Sequence, residues 1–371
     1  KGKRLEGRAR PTLGARWVGR VTRSRGPAVL FSVLALAALA VPVVDMRLGQ
    51  PDDSTAAAST TNRQAYDLVA DGFGPGANGP LLVVVDSPDA QAVAAAAAAE
   101  LAQLDGVAGV GEPVLNAAGD TAIVAVTPTS SPASPATKDL VQRLRDRPDA
   151  PGATLLVTGR TAADIDFADR LSDALLPYLA VIVGLAFLLL LVAFRSILVP
   201  LTAVGGFLLT IGAAFGTLVA VVQQGTFASA LGIEQTGPIV SVLPIFIVGI
   251  LFGLAMDYQV FLVSRMREEH DRGAGPTRAV TEGFRHGARV VTGAALIMVG
   301  VFAGFVSEDA VLIKSIGFTL AVGILVDAFV VRMTLIPALM ALLGERAWWL
   351  PRWLAPLVPR VDLEGARLAA Q

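Results

Sequence analysis

Six stretches of the chain stay apolar for about 20 residues at a time, the length a helix needs to cross a bilayer. They are 27–46, 176–194, 197–222, 238–264, 290–306 and 313–342. The first stands apart from the other five, because a long polar stretch, 47–175, follows it, whereas the remaining connections are short. The fold class expected is an α-helical polytopic membrane protein with six transmembrane helices arranged one plus five. A large domain should emerge between the first helix and the second.

Inside the polar stretch the period of the pattern changes. Leu81 to Val85 is a short β-branched run, 89–104 is Ala-rich and helical, Val107 opens a second strand ending by Leu115, and Thr121 to Thr127 alternates as a third. A Ser/Pro linker then leads to a helix with Leu140, Val141 and Leu144 at helical spacing, and Thr154 to Thr158 closes the series. The order β-α-β-β-α-β is that of a ferredoxin-like α+β unit, expected over about 79–158. It predicts a four-stranded antiparallel sheet with two helices on one face, with Val84 and Val124 among the inward positions and Asp105 on the surface. The stretch has no His/Cys cluster, nucleophile motif or glycine-rich phosphate loop, which points to a binding or conduit role. Four acids, Asp164, Asp166, Asp169 and Asp173, precede the second span; they read as a solvated helix face rather than a cation site.

The domain division is then a basic segment over 1–25, the first transmembrane helix over 26–46, the extracytoplasmic domain over 47–175, a five-helix bundle over 176–343 and a tail over 344–371. Composition agrees: of 371 residues 54% are hydrophobic and 16% charged, against about a quarter charged in a soluble domain. A net charge of -1 argues against nucleic acid, and the absence of Cys excludes disulfides and thiolate metal sites. Lys and Arg set the orientation. Residues 1–25 carry nine basics against one acid, 265–289 carry six and 344–371 carry four, while 223–237 has none and 307–314 only Lys314. Both ends are therefore expected in the cytoplasm and 47–175 outside. Ala38-Leu39-Ala40 resembles a secretory cleavage site, but the apolar stretch continues through Val44 and fits a retained anchor better. Lys1 opens a basic run without a fold signal, so the chain reads as a piece of a longer polypeptide. His270 and His286 read as solvated loop residues, and Trp348, Trp349 and Trp353 suit an interfacial aromatic belt.

Asp257 is the chemically loaded residue. A carboxylate in the middle of a span costs roughly 2.5 to 3.5 kcal/mol, so an acid there points to a proton or ion relay. Gly249, Gly253, Asp257 and Phe261 recur every four residues and share one helix face. The two glycines would let a neighbouring helix approach, so Asp257 is expected to face protein rather than lipid. Tyr258 lies about 100° around the helix and is placed to hydrogen-bond toward a neighbour. Asp327 is a second acid, in the sixth span, for which relay participation and structural pairing stay open. Arg332 follows it at i+5, about 140° away on an ideal helix, a poor position for pairing, so it should snorkel or pair across helices. The run Arg265 to Glu269 reads as an interfacial anchor with local ion pairs. No cofactor or metal is expected, only protons as the coupling ion.

Gly253 to Glu269 resembles the signature of the MMPL family (mycobacterial membrane protein large), a branch of the resistance-nodulation-division transporters. The stretch from Ser315 through Asp327 and Arg332 to Met333, the ending Trp348 to Trp353, and Gly72 to Asn78 also resemble actinobacterial members, in their second half. The resemblance implies a tandem duplication of twelve spans with two porter domains, exporting lipids or other hydrophobic molecules with the proton gradient. An Asp-Tyr motif in each half would be the relay, and one copy, Asp257-Tyr258, stands here. This chain would be the C-terminal half, partnered by the homologous N-terminal half, a lipid substrate, the membrane and, as an open option, further copies of itself. It would lie in a bacterial plasma membrane. A SecDF-like accessory of protein translocation and a non-transporting lipid-binding sensor are the alternatives.

Overall fold

Among the described residues of the computed structural model, six helices are long and apolar enough to cross a membrane: Arg25–Asp45, Arg160–Phe194, Leu198–Gln223, Leu243–Asp271, Gly287–Ser307 and Val311–Trp348. The structure describes residues 13–148, 152–233, 235–308, 310–356 and 358–359. All six expected spans are present.

The basic N-terminal run carries more structure than its composition suggests. Leu13–Arg23 forms helix α1, with Val18 and Val21 buried and Arg16, Trp17, Arg20 and Arg23 exposed. Trp17, Val18 and Val21 give it an apolar edge that packs on the bundle. Helix α2 (Arg25–Ala40) follows and ends in a 3-10 turn through Asp45.

Outside the bundle, strand β1 (Leu48–Gly49) and helix α3 (Thr61–Phe73) lead into the α/β unit. That unit runs β2 (Leu81–Asp86), α4 (Ala90–Leu101), β3 (Val107–Val110), β4 (Val114–Leu115), β5 (Thr121–Pro128), α5 (Pro135–Arg145) and β6 (Thr154–Thr158). The sheet order is β3-β5-β2-β6, antiparallel throughout, with β4 also on β5. This is the split βαβ arrangement: β2 and β3 flank β5, which inserts between them. The expected second strand is broken in two, with 111–113 between β3 and β4, and β3 itself carries a bulge between Val107 and Gly109 in its pairing with β5.

One face of the sheet is sealed by the helices. Leu81, Val83, Val85, Ala122, Val124 and Val126 pack there with Leu101, Leu140, Val141 and Leu144. Val124 is inward as expected, but Val84 is not. It pairs with Ile123, which is 42% exposed, and with Leu156, which is 56% exposed, on the open face. Leu81→Ala is therefore expected to cost about 2–5 kcal/mol, whereas Leu156→Ala should cost well under half of that. Thermal unfolding of the two variants checks the register, and equal losses would show it wrong.

Helix α6 (Arg160–Phe194) starts in the α/β unit and runs on into the membrane. Its acids are not simply solvated. Asp166 accepts from Arg145 at 2.9 Å, Asp169 pairs with Lys138, and Asp164 pairs with Arg160 at 2.8 Å. Two of these pairs reach α5, so they help fasten the unit to the helix that carries it. Helix α7 (Leu198–Leu218) is prolonged by a π turn to Gln223, and strand β7 (Ile239–Val240) pairs in parallel with β1. That ribbon is a second tether between the outer segment and the bundle.

The bundle is completed by α8 (Leu243–Asp271), α9 (Pro276–Gly304), α10 (Val311–Leu325), a π-helical segment (Val326–Leu335) and α11 (Ile336–Leu343). The polar connection expected over 265–289 is almost wholly helical, so His270 and His286 sit in helices. His270 stacks on Trp348 with ring centroids 5.5 Å apart, and Arg267 lies 5.0 Å from the centroid of the same indole. Trp349 and Trp353 remain exposed at 55% and 70%.

Candidate functional site

Asp257 stands at the centre of the 29-residue helix α8, about 21 Å from either end at the α-helical rise. The helix has two unlike faces. Ala255, Gln259, Leu262, Val263 and Met266 are buried in the bundle. Gly253 and Asp257 are exposed, and Phe261 is 37% exposed. The expectation that the Gly249-Asp257 face packs on a neighbour thus fails within this chain: Gly249 approaches the Tyr178 hydroxyl, but no atom lies within 4 Å of a Cβ placed on Gly253. The carboxylate points out of the bundle, about two turns before the charged end that begins at Arg265, from an otherwise apolar surface.

Two residues on, about 200° around the helix, Gln259 points inward. It is fully buried and accepts a hydrogen bond from Nη1 of Arg332, itself fully buried. Arg332 Nε donates to both carboxylate oxygens of Asp327, at 3.2 and 3.1 Å, and the Thr210 hydroxyl donates to Asp327 Oδ1 at 3.3 Å. Asp327 is 4% exposed. Three elements therefore meet in one buried polar cluster: α7 through Thr210, α8 through Gln259, and the π segment through Asp327 and Arg332.

The pairing corrects the expectation for Arg332. On an α-helix, residues at i and i+5 diverge; in a π-helix the i→i+5 hydrogen-bond pattern places them one above the other. Val326–Leu335 is π-helical, so Asp327 and Arg332 come onto one face and pair within their own segment. Arg332 therefore does not snorkel. Gly206, one turn before Thr210, allows the contact. A Cβ there would lie 2.7 Å from Val331 Cγ1, too close for α7 to approach the π segment. Among the described atoms, Nη2 of Arg332 and Nε2 of Gln259 have no hydrogen-bond partner, which leaves two buried donors with unused capacity.

Tyr258 lies between the two features. Half-buried, it directs its hydroxyl to the Sδ of Met298 on α9, at 3.2 Å. Three consecutive residues of α8 thus fan around the helix: an outward carboxylate, a phenol lodged against α9, and an amide joined to a buried ion pair. Gln259 and Thr210 had no prominent signal in the sequence beyond being polar within apolar runs. The groups present are a carboxylate, a phenol, hydroxyl, amide and a guanidinium, a set suited to holding and passing protons through hydrogen bonds. Among the described residues no group of three or more His, Asp or Glu converges as a metal shell.

A second feature lies between the α/β unit and the bundle. A cleft of about 590 Å³ is lined by Arg47, Asp52, Lys138, Asp164 and Asp169 together with Leu48, Ile165 and Pro238. Charged and apolar groups share its walls, beside the β1–β7 ribbon.

Residues 58–360 match the family model described as MMPL family. Among curated proteins, "Membrane protein YdfJ" of Bacillus subtilis is 46% identical over 359 residues, covering 96% of this chain and 50% of that protein. "Mycolic acid-containing lipids exporter MmpL11" of Mycolicibacterium smegmatis is 36% identical over 361 residues, covering 94% of this chain and 38% of the exporter. The chain thus spans half or less of the length of these relatives. A crystal structure of SecDF in its super-membrane-facing form covers 85% of this chain and 38% of its own, at 16% identity and a TM-score of 0.39, too distant to carry an argument about cargo.

Proposed function

The chain belongs to the MMPL family, and from that premise we propose that it is the C-terminal half of a secondary transporter that exports a lipid or other hydrophobic molecule at the expense of the proton gradient. Its relatives are named as membrane proteins and exporters, and the chain is itself a multi-pass membrane protein. Asp257 is the residue that gains and loses the proton, and Tyr258 assists it. The observation that carries this reading is the position of Asp257: exposed, central in α8, and on an apolar face. A carboxylate facing lipid at that depth is costly, so this face is one that the remainder of a longer protein covers, and a carboxylate at such a seam is placed to exchange protons.

The buried Asp327–Arg332 pair plays a different part. Held from three elements, it fixes α7 and α8 against the π segment next to the relay, as an ion pair rather than a second titrating site. The cleft beneath the α/β unit, with charged and apolar walls, suits the passage of an amphipathic molecule.

Full-length protein in sealed vesicles tests the coupling. With a pH gradient imposed, a fluorescent long-chain amphiphile should be pumped and the gradient should run down faster than in protein-free vesicles. Equal pumping after an ionophore has collapsed the gradient would refute proton drive. The bacterial plasma membrane is the expected site, with both ends of the chain cytoplasmic because of their basic flanks. In intact cells Asp105→Cys should react with an impermeant maleimide and Arg272→Cys should not; the opposite result would invert the topology.

A further inference from the structure

At the end of the bundle opposite the α/β unit, α1 and α9 enclose a groove of about 900 Å³. Two arginine ladders border it. Arg16 and Arg20 stand one turn apart on α1, and Arg285 and Arg289 stand one turn apart on α9; all four are exposed. No Asp or Glu is among the residues that line the groove. Arg285 has a distant partner in Glu282, at 3.6 Å. Among the described residues, Arg16, Arg20 and Arg289 have no carboxylate within ion-pair distance.

Three other arginines at this end of the bundle are paired with carboxylates. Arg265, Arg267 and Arg272 pair with Glu268, Asp271 and Glu269 at 2.9 to 3.0 Å. The groove therefore gathers four arginines about one cleft, three of them without a carboxylate partner among the described residues. Four cations around one cleft repel one another, and a bound anion relieves that repulsion.

The groove floor is apolar. Gly293 and Phe329 line it, and the indole Nε1 of Trp17 donates to the carbonyl of Met333 at 3.1 Å, which seats α1 over the π segment. Depth selects the occupant. The candidate span of α9 begins at Gly287, so Arg285 lies just outside it and Arg289 just inside, at the level of lipid phosphates rather than in bulk water. Below the arginines the outer face of α9 continues with exposed Leu296 and Ile297, at 58% and 69%, a track for an acyl chain.

We propose that this groove binds an anionic phospholipid, its phosphodiester held between the arginine pairs of α1 and α9 and its acyl chain lying along the groove floor and α9. Basic pockets between transmembrane helices recognise such headgroups through charge-assisted hydrogen bonds, which the planar guanidinium favours. The lipid lies on the outer side of the π segment whose inner side holds Asp327 and Arg332.

Native mass spectrometry of the purified full-length protein, supplied with phosphatidylglycerol or phosphatidylcholine, tests the site. The unaltered protein should retain phosphatidylglycerol at least about tenfold better than phosphatidylcholine, as a few interfacial arginines predict. Arg16→Gln, Arg20→Gln and Arg289→Gln together should abolish that preference. Removal of the same charge by Arg265→Gln, Arg267→Gln and Arg272→Gln should leave it intact. Equal losses in the two triple variants would reduce the effect to net charge and overturn the proposal. Gly293→Phe keeps every charge and fills the floor, where no atom lies within 4 Å of the added Cβ. It should displace the lipid too, so it decides the matter even where the arginine variant fails to fold, and full retention would overturn the groove as the binding place. Displacement of the lipid by millimolar inorganic phosphate would identify a free-phosphate site instead and overturn the lipid assignment.

Discussion

In the full-length protein, Asp257→Asn is expected to reduce pH-gradient-driven transport at least about a hundredfold, the lower end of what a positioned proton-transfer group contributes. Accumulation in the membrane should be unchanged. The amide keeps the shape of the carboxylate but cannot cycle a proton. Within this chain Asp257 is exposed and, among the described residues, makes no hydrogen bond or ion pair, so the substitution breaks no internal contact. Tyr258→Phe should have a smaller effect. It removes a hydroxyl whose partner here is the Met298 sulfur, a weak acceptor, and leaves the titrating group in place. Transport assays with protein quantified in the same vesicles check both, and wild-type transport by the Asn variant would remove Asp257 from the mechanism.

Arg332→Ala should be the most destabilising single substitution in the bundle, by about 3–5 kcal/mol, because it strands the buried Asp327 carboxylate without its counter-charge. Gln259 would lose its donor in the same step. Replacing the whole cluster is a different matter. The combination Asp327→Leu, Gln259→Leu and Arg332→Met removes every partner at once, while Thr210 keeps its bond to the Gly206 carbonyl at 3.0 Å. Apolar replacement of a complete buried pair is often neutral or better, so the triple variant should recover most of the lost stability. Thermal unfolding of the three proteins in one detergent reads this directly. A triple variant as unstable as Arg332→Ala would show that the cluster contributes more than the cost of an unpaired charge.

The membrane architecture was legible because apolar runs of spanning length have no competing explanation, and the α/β order because strands and helices alternate with clear breakers between them. Faces were harder. Leu81 to Val85 is apolar at every position, so alternation cannot tell which side of the sheet Val84 occupies, and a slip of one residue exchanges core for surface. The same holds for α8: apolar residues surround Asp257 on all sides, and two glycines mark a close approach without saying whether the neighbour lies in the same chain. Helix α1 was hidden by its own charge, since Arg16, Arg20 and Arg23 draw the eye from the edge formed by Trp17, Val18 and Val21. The Asp327–Arg332 pair was misjudged for a geometric reason. Assuming an α-helical repeat separates two residues that a π-helical stretch brings together, and no residue in 326–335 announces that change of repeat.

Protonation of Asp257 itself is the most direct measurement, made by infrared difference spectroscopy on the full-length protein during acidification, comparing wild type with Asp257→Asn. A relay predicts a protonated-carboxyl band that grows across the pH range in which transport runs and is missing from the Asn variant. Identical spectra for the two proteins over that range would mean that position 257 never titrates, and would contradict a proton-driven cycle through this residue.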